Sequence, residues 1–178
     1  MKLLFTRHGQ TEWNVLGKVQ GRADISLNEK GKEQARKTAE KLQNEDFDLI
    51  ICSPLKRARE TAEIINIGRN VPVIYDETIA ERDFGEFEGV QKEEFDFPAF
   101  WSYKKNENYV SAENIKKFFK RIYTFIEDIK KKYKDKTILI VSHGGVSIPF
   151  QCYFAEIPDM DSLLPMGIDN CEVLKYNF

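Results

Sequence analysis

Two short apolar runs in this chain of 178 residues end in the same way. One reads Leu3-Leu4-Phe5-Thr6-Arg7-His8-Gly9, and the other reads Ile138-Leu139-Ile140-Val141-Ser142-His143-Gly144-Gly145. Between them they hold the only histidines of the chain. A short apolar run closed by glycine is the pattern of an interior strand leading into a turn. Runs at Leu3–Phe5, Phe47–Cys52, Val71–Tyr75 and Thr137–Val141 therefore predict strands, with a weaker one at Glu172–Tyr176. Helical patterns lie between them. Ala35, Ala39 and Leu42 share one face of a helix starting near Asn28, and the small alanines allow it to pack close to a sheet. Leu55, Ala58, Ala62 and Ile65 share a face of the next, with Ser53 predicted as its cap and Pro54 at its first position. The clearest 3.6-residue period runs through Ile115, Phe118, Phe119, Ile122, Phe125, Ile126 and Ile129 and predicts a core-facing helix. Pro149 fits a helix after His143 only in its first turn.

Strands alternating with helices predict an α/β fold, a three-layer α/β/α sandwich with a mainly parallel central sheet. Folds of that kind bind ligands at the carboxyl ends of the strands, so His8 and His143 are expected on one sheet edge. The length fits one domain over residues 1–178. Residues 90–112 are irregular and rich in rings (Phe95, Phe97, Phe100, Trp101, Tyr103, Tyr109). They predict a short lid-like insertion over that edge, most of whose rings pack onto the core.

Hydrophobic residues make up 42% and charged residues 31%, which predicts a soluble globular chain rather than a disordered one. A net charge of −2 gives no basic field to attract nucleic acid. The run Lys130-Lys131-Lys132 ends a predicted helix, where cations suit the dipole, and is expected as a solvated face. No apolar run approaches the ~20 residues of a membrane span. Cys52, Cys152 and Cys171 are widely spaced and odd in number, which fits a reducing compartment, and the expected location is cytoplasmic. A monomer and a homodimer are both compatible with the sequence.

The residues expected at the sheet edge have a common chemistry. Arg7 and His8 follow the first strand. Arg57 lies in the first turn of the helix after the second, with its neighbours Leu55 and Ala58 facing the core. Arg59, two positions on, is rotated by roughly 200° and is expected on the surface, paired with Glu63. His143 follows a later strand. Glu81 opens the glycine-punctuated loop Glu81-Arg82-Asp83-Phe84-Gly85-Glu86-Phe87-Glu88-Gly89, with Glu86 and Glu88 as competing carboxylates. Helix starts after Pro54 and Gly145 are expected to add backbone donors. Phosphate monoester transfer needs planar cations for the dianion, an in-line nucleophile such as a neutral imidazole nitrogen, and an acid for the leaving oxygen. All are present without a metal, and no ligand spacing of the zinc kind appears.

In that order the residues resemble the histidine phosphatase superfamily, also called the phosphoglycerate mutase-like family. Arg7-His8-Gly9-Gln10-Thr11-Glu12-Trp13-Asn14 is similar to its opening motif. The segment from Gly21 to Leu27, with Gly31 and Gln34-Ala35, is similar to its next element. Ser53 to Ala62 resembles the helix with its second arginine, Glu81 to Gly89 its acid loop, and Ser142 to Gly145 its second histidine motif. The resemblance spans nearly the whole chain and implies specific roles. His8 is the nucleophile that becomes phosphohistidine. Arg7, Arg57 and His143, with Asn14 and Gly144, form the phosphate pocket. Glu81 donates a proton and then activates water. Thr11, Gln20 and Gly21 line the entrance.

The resemblance implies a metal-independent phosphoric monoester hydrolase of histidine acid phosphatase type, without a cofactor, acting on a small phosphorylated metabolite. The alternative is a cofactor-dependent phosphoglycerate mutase. Its relatives carry a longer insertion with a pair of arginines, whereas residues 90–112 contain none, and Phe84 stands where they have tyrosine. Lys92 favours the mutase, since those relatives place a substrate-binding lysine there. A binding module without turnover is the third reading, disfavoured by the complete set of nucleophile, clamp and acid. Ser111-Ala112-Glu113-Asn114 replaces the Gly-Glu-Ser element usual in the phosphatases, so the distal part of the substrate is expected to be held differently.

Overall fold

Every apolar run expected as a strand is one. The computed structural model describes residues 1–178, with β1 (Lys2–Arg7), β2 (Leu49–Cys52), β3 (Val73–Tyr75), β4 (Thr137–Ser142) and β5 (Val173–Asn177) in one sheet of order β3-β2-β4-β1-β5. Neighbours among β1 to β4 are parallel, and β5 runs antiparallel to β1 on the edge. Helices α1 (Glu12–Val15), α2 (Glu29–Lys41), α3 (Lys56–Asn66), α4 (Ile115–Lys132) and α5 (Gly144–Phe154) complete the architecture.

The alternation of side chains across the strands builds two cores. Leu4, Ile50, Cys52, Leu139 and Val141 pack with Leu42, Ala58, Ala62 and Ile65, the buried side of α2 and α3. Leu3, Phe5, Leu49, Ile51, Ile138 and Ile140 pack on the other face with α4 and α5. Central strands covered on both faces are apolar at successive positions, which is why they are legible as runs. All seven residues of the α4 stripe are buried, each contributing roughly 1.5–3 kcal/mol relative to exposure.

α2 starts as expected, with the Asn28 side chain accepting the Gly31 amide at 2.8 Å. Its first turn lies directly against the turn after β1. A β-carbon on Gly9 would sit 2.4 Å from the Gly31 carbonyl oxygen, and one on Gly31 would sit 2.1 Å from that of Gln10. Glycine at both positions lets backbone meet backbone and seats the His8 turn on the helix.

Two expectations about helix ends are corrected. α3 is capped at Leu55, without a side-chain cap, and begins at Lys56. Pro54 therefore lies before the helix, and the Ser53 hydroxyl is drawn to a partner far away in sequence, described below. Pro149 lies in the second turn of α5, not the first. The helix continues through it, forgoing the bond that an N–H there would give to the Gly145 carbonyl.

Residues 90–112 form turns and short 3₁₀ helices at Lys92–Glu94 and Phe97–Trp101. Phe97, Phe100 and Trp101 are buried in the α4-side core, and Phe100 stacks on Tyr109 with ring centroids 3.7 Å apart. Beneath them lies Arg82, fully buried. Its Nε donates to the Glu113 carbonyl at 2.8 Å, its Nη1 donates to the Phe100 carbonyl, and its guanidinium faces the rings of Phe84, Phe100 and Trp101. Burial pushes its pKa down to about 10. One cation thus ties the middle of the aromatic segment, and the residue that follows it, to the acid loop. The three cysteines are buried and unpaired. No helix is long and apolar enough to cross a membrane.

Candidate active site

Strand register brings the two histidines together. β1 and β4 are parallel neighbours that pair Arg7 with Ser142, so the next residue of each leaves the sheet at the same level. The two rings meet edge to face with centroids 5.2 Å apart. His8 Nδ1 is 2.7 Å from the Gly9 carbonyl oxygen. A carbonyl can only accept, so Nδ1 carries the proton and Nε2 keeps its lone pair. Burial, then Arg57 and Arg7, hold the His8 pKa well below the ordinary histidine value. The two guanidinium charges add to the shift, but desolvation leads it.

Arg57 is fully buried at the start of α3. Its Nη1 donates to the Ala23 carbonyl at 2.6 Å and its Nη2 to that of Gly21 at 2.7 Å. Arg7 donates through Nη1 to the Ile168 carbonyl at 2.7 Å. The Nε groups of both arginines are buried and have no partner in the protein. Burial lowers both pKa values, that of Arg57 to about 10, while the Glu81 carboxylate opposes the shift. Both remain cations near neutrality.

His143 is fully buried against the His8 ring and is not itself a lining residue of the cavity. Its Nε2 is 2.7 Å from Ser53 Oγ, while its Nδ1 has no partner in the protein. Burial, Arg57 and His8 keep this imidazole neutral as well. Glu81 is held from two sides: the Arg82 amide donates to Oε1 at 2.8 Å and the Gly145 amide to Oε2 at 3.0 Å. The start of α5, expected to offer free donors, thus spends one of them on Glu81. Of the competing carboxylates, Glu88 accepts the Arg22 and Phe84 amides and Glu86 bonds Ser111; neither lines the cavity.

The cavity encloses about 170 Å³. Arg7, His8, Asn14, Gln20, Gly21, Arg57, Glu81, Lys92 and Gly144 all line it. Thr11 does not; it is buried and caps α1, exchanging hydrogen bonds with Asn14. That exchange occupies the Asn14 carbonyl oxygen and leaves its Nδ2 free to donate. Arg59 is exposed, but no ion pair with Glu63 forms. Lys18, Trp101 and Asp169 also line the cavity and were not among the expected residues. Lys18 arrives through an isolated bridge to Gln91, and Asp169 through the segment before β5. Neither placement leaves a local pattern in the sequence. No group of three or more His, Cys, Asp or Glu side chains is arranged to hold a metal ion.

A neutral imidazole with a free lone pair, flanked by two buried guanidinium groups and a carboxyl group, defines a centre for chemistry on a tetrahedral oxyanion. Comparison with known proteins agrees. Residues 3–178 match the family model of the histidine phosphatase superfamily (branch 1), and the chain belongs to that family. It is 32% identical over 178 residues to phosphoserine phosphatase 1 of Hydrogenobacter thermophilus, covering 96% of this chain and 83% of the relative. It is 39% identical over 139 residues to an uncharacterized phosphatase, PhoE, of Bacillus subtilis, covering 78% and 69%. A phosphoserine phosphatase of Entamoeba histolytica, solved in complex with phosphoserine, superposes with a TM-score of 0.84 at 31% identity, covering 99% of this chain and 90% of that one.

Proposed function

We propose that this protein is a phosphatase that hydrolyses a small phosphate monoester through a phosphohistidine on His8, without a metal ion. The observation that carries the reading is the set of unpartnered polar groups beside His8. Arg7 Nε, Arg57 Nε and His143 Nδ1 are buried and bond nothing in the protein. Buried polar groups left unpaired are costly, and a phosphoryl group offers oxygens to satisfy them.

His8 Nε2 attacks phosphorus in line as the bond to the ester oxygen breaks, and Glu81 gives that oxygen its proton. Arg7, Arg57, His143 and Asn14 hold the equatorial oxygens, where the charge in flight is spread. Glu81, now a carboxylate, takes a proton from water as the water oxygen attacks the phosphohistidine. Inorganic phosphate leaves, and His8 and Glu81 return to their starting states. This is hydrolysis of the histidine acid phosphatase type.

A cavity of about 170 Å³, below the roughly 300–1,000 Å³ of pockets for drug-sized ligands, supports a small substrate. Lys18 and Lys92 line it, and neither is ion-paired with a carboxylate. They supply cations for an anionic group on the substrate, which fits the phosphoserine named for the relatives. Lys92 is also the one feature that favours a mutase. A screen decides: phosphoserine, p-nitrophenyl phosphate, and 3-phosphoglycerate with and without 2,3-bisphosphoglycerate, each with EDTA. Release of inorganic phosphate undiminished by EDTA is expected. Isomerisation without release, or activity lost to EDTA and restored by a divalent metal, overturns the reading.

Glu81→Ala is expected to slow an alkyl phosphate such as phosphoserine by about 10²–10⁴-fold. p-Nitrophenyl phosphate, whose leaving group needs no proton, should lose much less in its phosphorylation step. Single-turnover rates on the two substrates make the comparison, and equal losses would remove Glu81 from the role of acid.

A further inference from the structure

Ser53 is fully buried, directly after β2, yet it does not cap the helix that follows. Its Oγ accepts the Leu55 amide at 3.4 Å and lies 2.7 Å from His143 Nε2. A hydroxyl has one proton and two lone pairs. The Leu55 amide takes one lone pair, and His143 Nε2 is the only acceptor the structure offers the hydroxyl proton; were Nε2–H the donor, that buried proton would be left without a partner. We infer that Ser53 is a positioning residue that fixes the tautomer of His143: Ser53 donates to Nε2, so the single ring proton resides on Nδ1.

The consequence lies at the other ring nitrogen. Nδ1 is the atom of His143 that has no partner in the protein, and its ring stands edge-on to His8. With the proton on Nδ1, His143 offers a donor to an oxygen of the phosphoryl group that His8 attacks. The opposite tautomer would aim a lone pair there, and a lone pair repels an anionic oxygen. Complete burial, with the Arg57 charge next, keeps the ring neutral, so the choice of tautomer decides whether His143 helps or hinders. The catalytic consequence rests on the proposed role of His8; the tautomer itself does not.

The chain has only two histidines, so nitrogen-15 spectra of histidine-labelled protein resolve four ring nitrogens. In the native protein, His143 is expected to show a protonated Nδ1 and a bare Nε2. Ser53→Ala is expected to shift that signature toward the other tautomer and to lower kcat on phosphoserine by about 10- to 100-fold, the scale seen for partners that orient metal-bound histidines. KM should stay within about twofold. Ser53→Thr, which keeps the hydroxyl, should restore most of kcat. A native His143 with a protonated Nε2 overturns the inference without any variant. So does a Ser53→Ala protein with Nδ1 protonation unchanged, whether or not kcat falls. Should the protein hydrolyse no phosphate ester, the proposed function fails, and the nitrogen spectrum still decides the tautomer.

Discussion

His8→Ala is expected to lower turnover of any phosphate monoester by about 10⁵–10⁶-fold, the scale seen when a covalent nucleophile is removed. The remaining arginines can still bind the dianion, so KM should change little. Labelled substrate mixed with the native protein and quenched in base, where phosphohistidine survives, should leave one phosphoryl group on the peptide containing His8. The variant should carry none. Retention of more than about one-hundredth of the native kcat would exclude the covalent route. The pH profile carries a second mark of the same residue. The attacking nitrogen must be unprotonated, and burial with Arg57 and Arg7 holds its pKa well below the ordinary value. A lowered pKa moves the acid limb of kcat/KM downward, so activity should persist well below the pH at which a solvated histidine protonates. An acid limb near the ordinary value of ~6.5 would contradict the environment described for His8.

Arg57→Ala is expected to lower kcat/KM by about 10³–10⁵-fold, the range for an arginine that neutralises phosphoryl charge in flight. Arg57→Lys should recover less than about tenfold of that loss. Charge alone is not what the site requires. Arg57 spends two nitrogens on the Ala23 and Gly21 carbonyls and leaves Nε without a partner in the protein. A lysine ammonium cannot hold both carbonyls and reach the phosphoryl group in the same geometry. Steady-state kinetics on phosphoserine test this. A loss below tenfold for the alanine variant would show that Arg57 only anchors the loop.

The elements were legible because each carried its own periodicity. β1 and β4 announced themselves as apolar runs, and the α4 stripe as a helical period, since burial on both sheet faces or on one helix face writes directly into residue order. The candidate histidines were legible because they are the only two and each precedes a glycine, and the candidate arginines and acid because they fall in an ordered set of motifs with them. What was not legible has one cause, partners distant in sequence. Ser53 looked like a cap because capping is judged from the next three residues, whereas its partner His143 is 90 positions away. Lys18 and Asp169 reach the cavity through a bridge and a returning segment that no local pattern records. The strand order was equally hidden, since apolar runs do not say which neighbour they pair with.

β1 lies between β4 and β5, and this has a consequence for how the protein comes into being. The turn bearing His8 is stitched to the other end of the chain: Arg7 reaches the Ile168 carbonyl, the Cys171 amide returns to the Arg7 carbonyl, and Asn170 Nδ2 donates to the His8 carbonyl at 2.8 Å. The turn bearing His8 therefore cannot be seated until a segment 162 positions further along the chain has returned to it. Pairings of such long separation are slow to close, and during that wait β1 is an apolar segment without neighbours, the part of the nascent protein most in need of shelter.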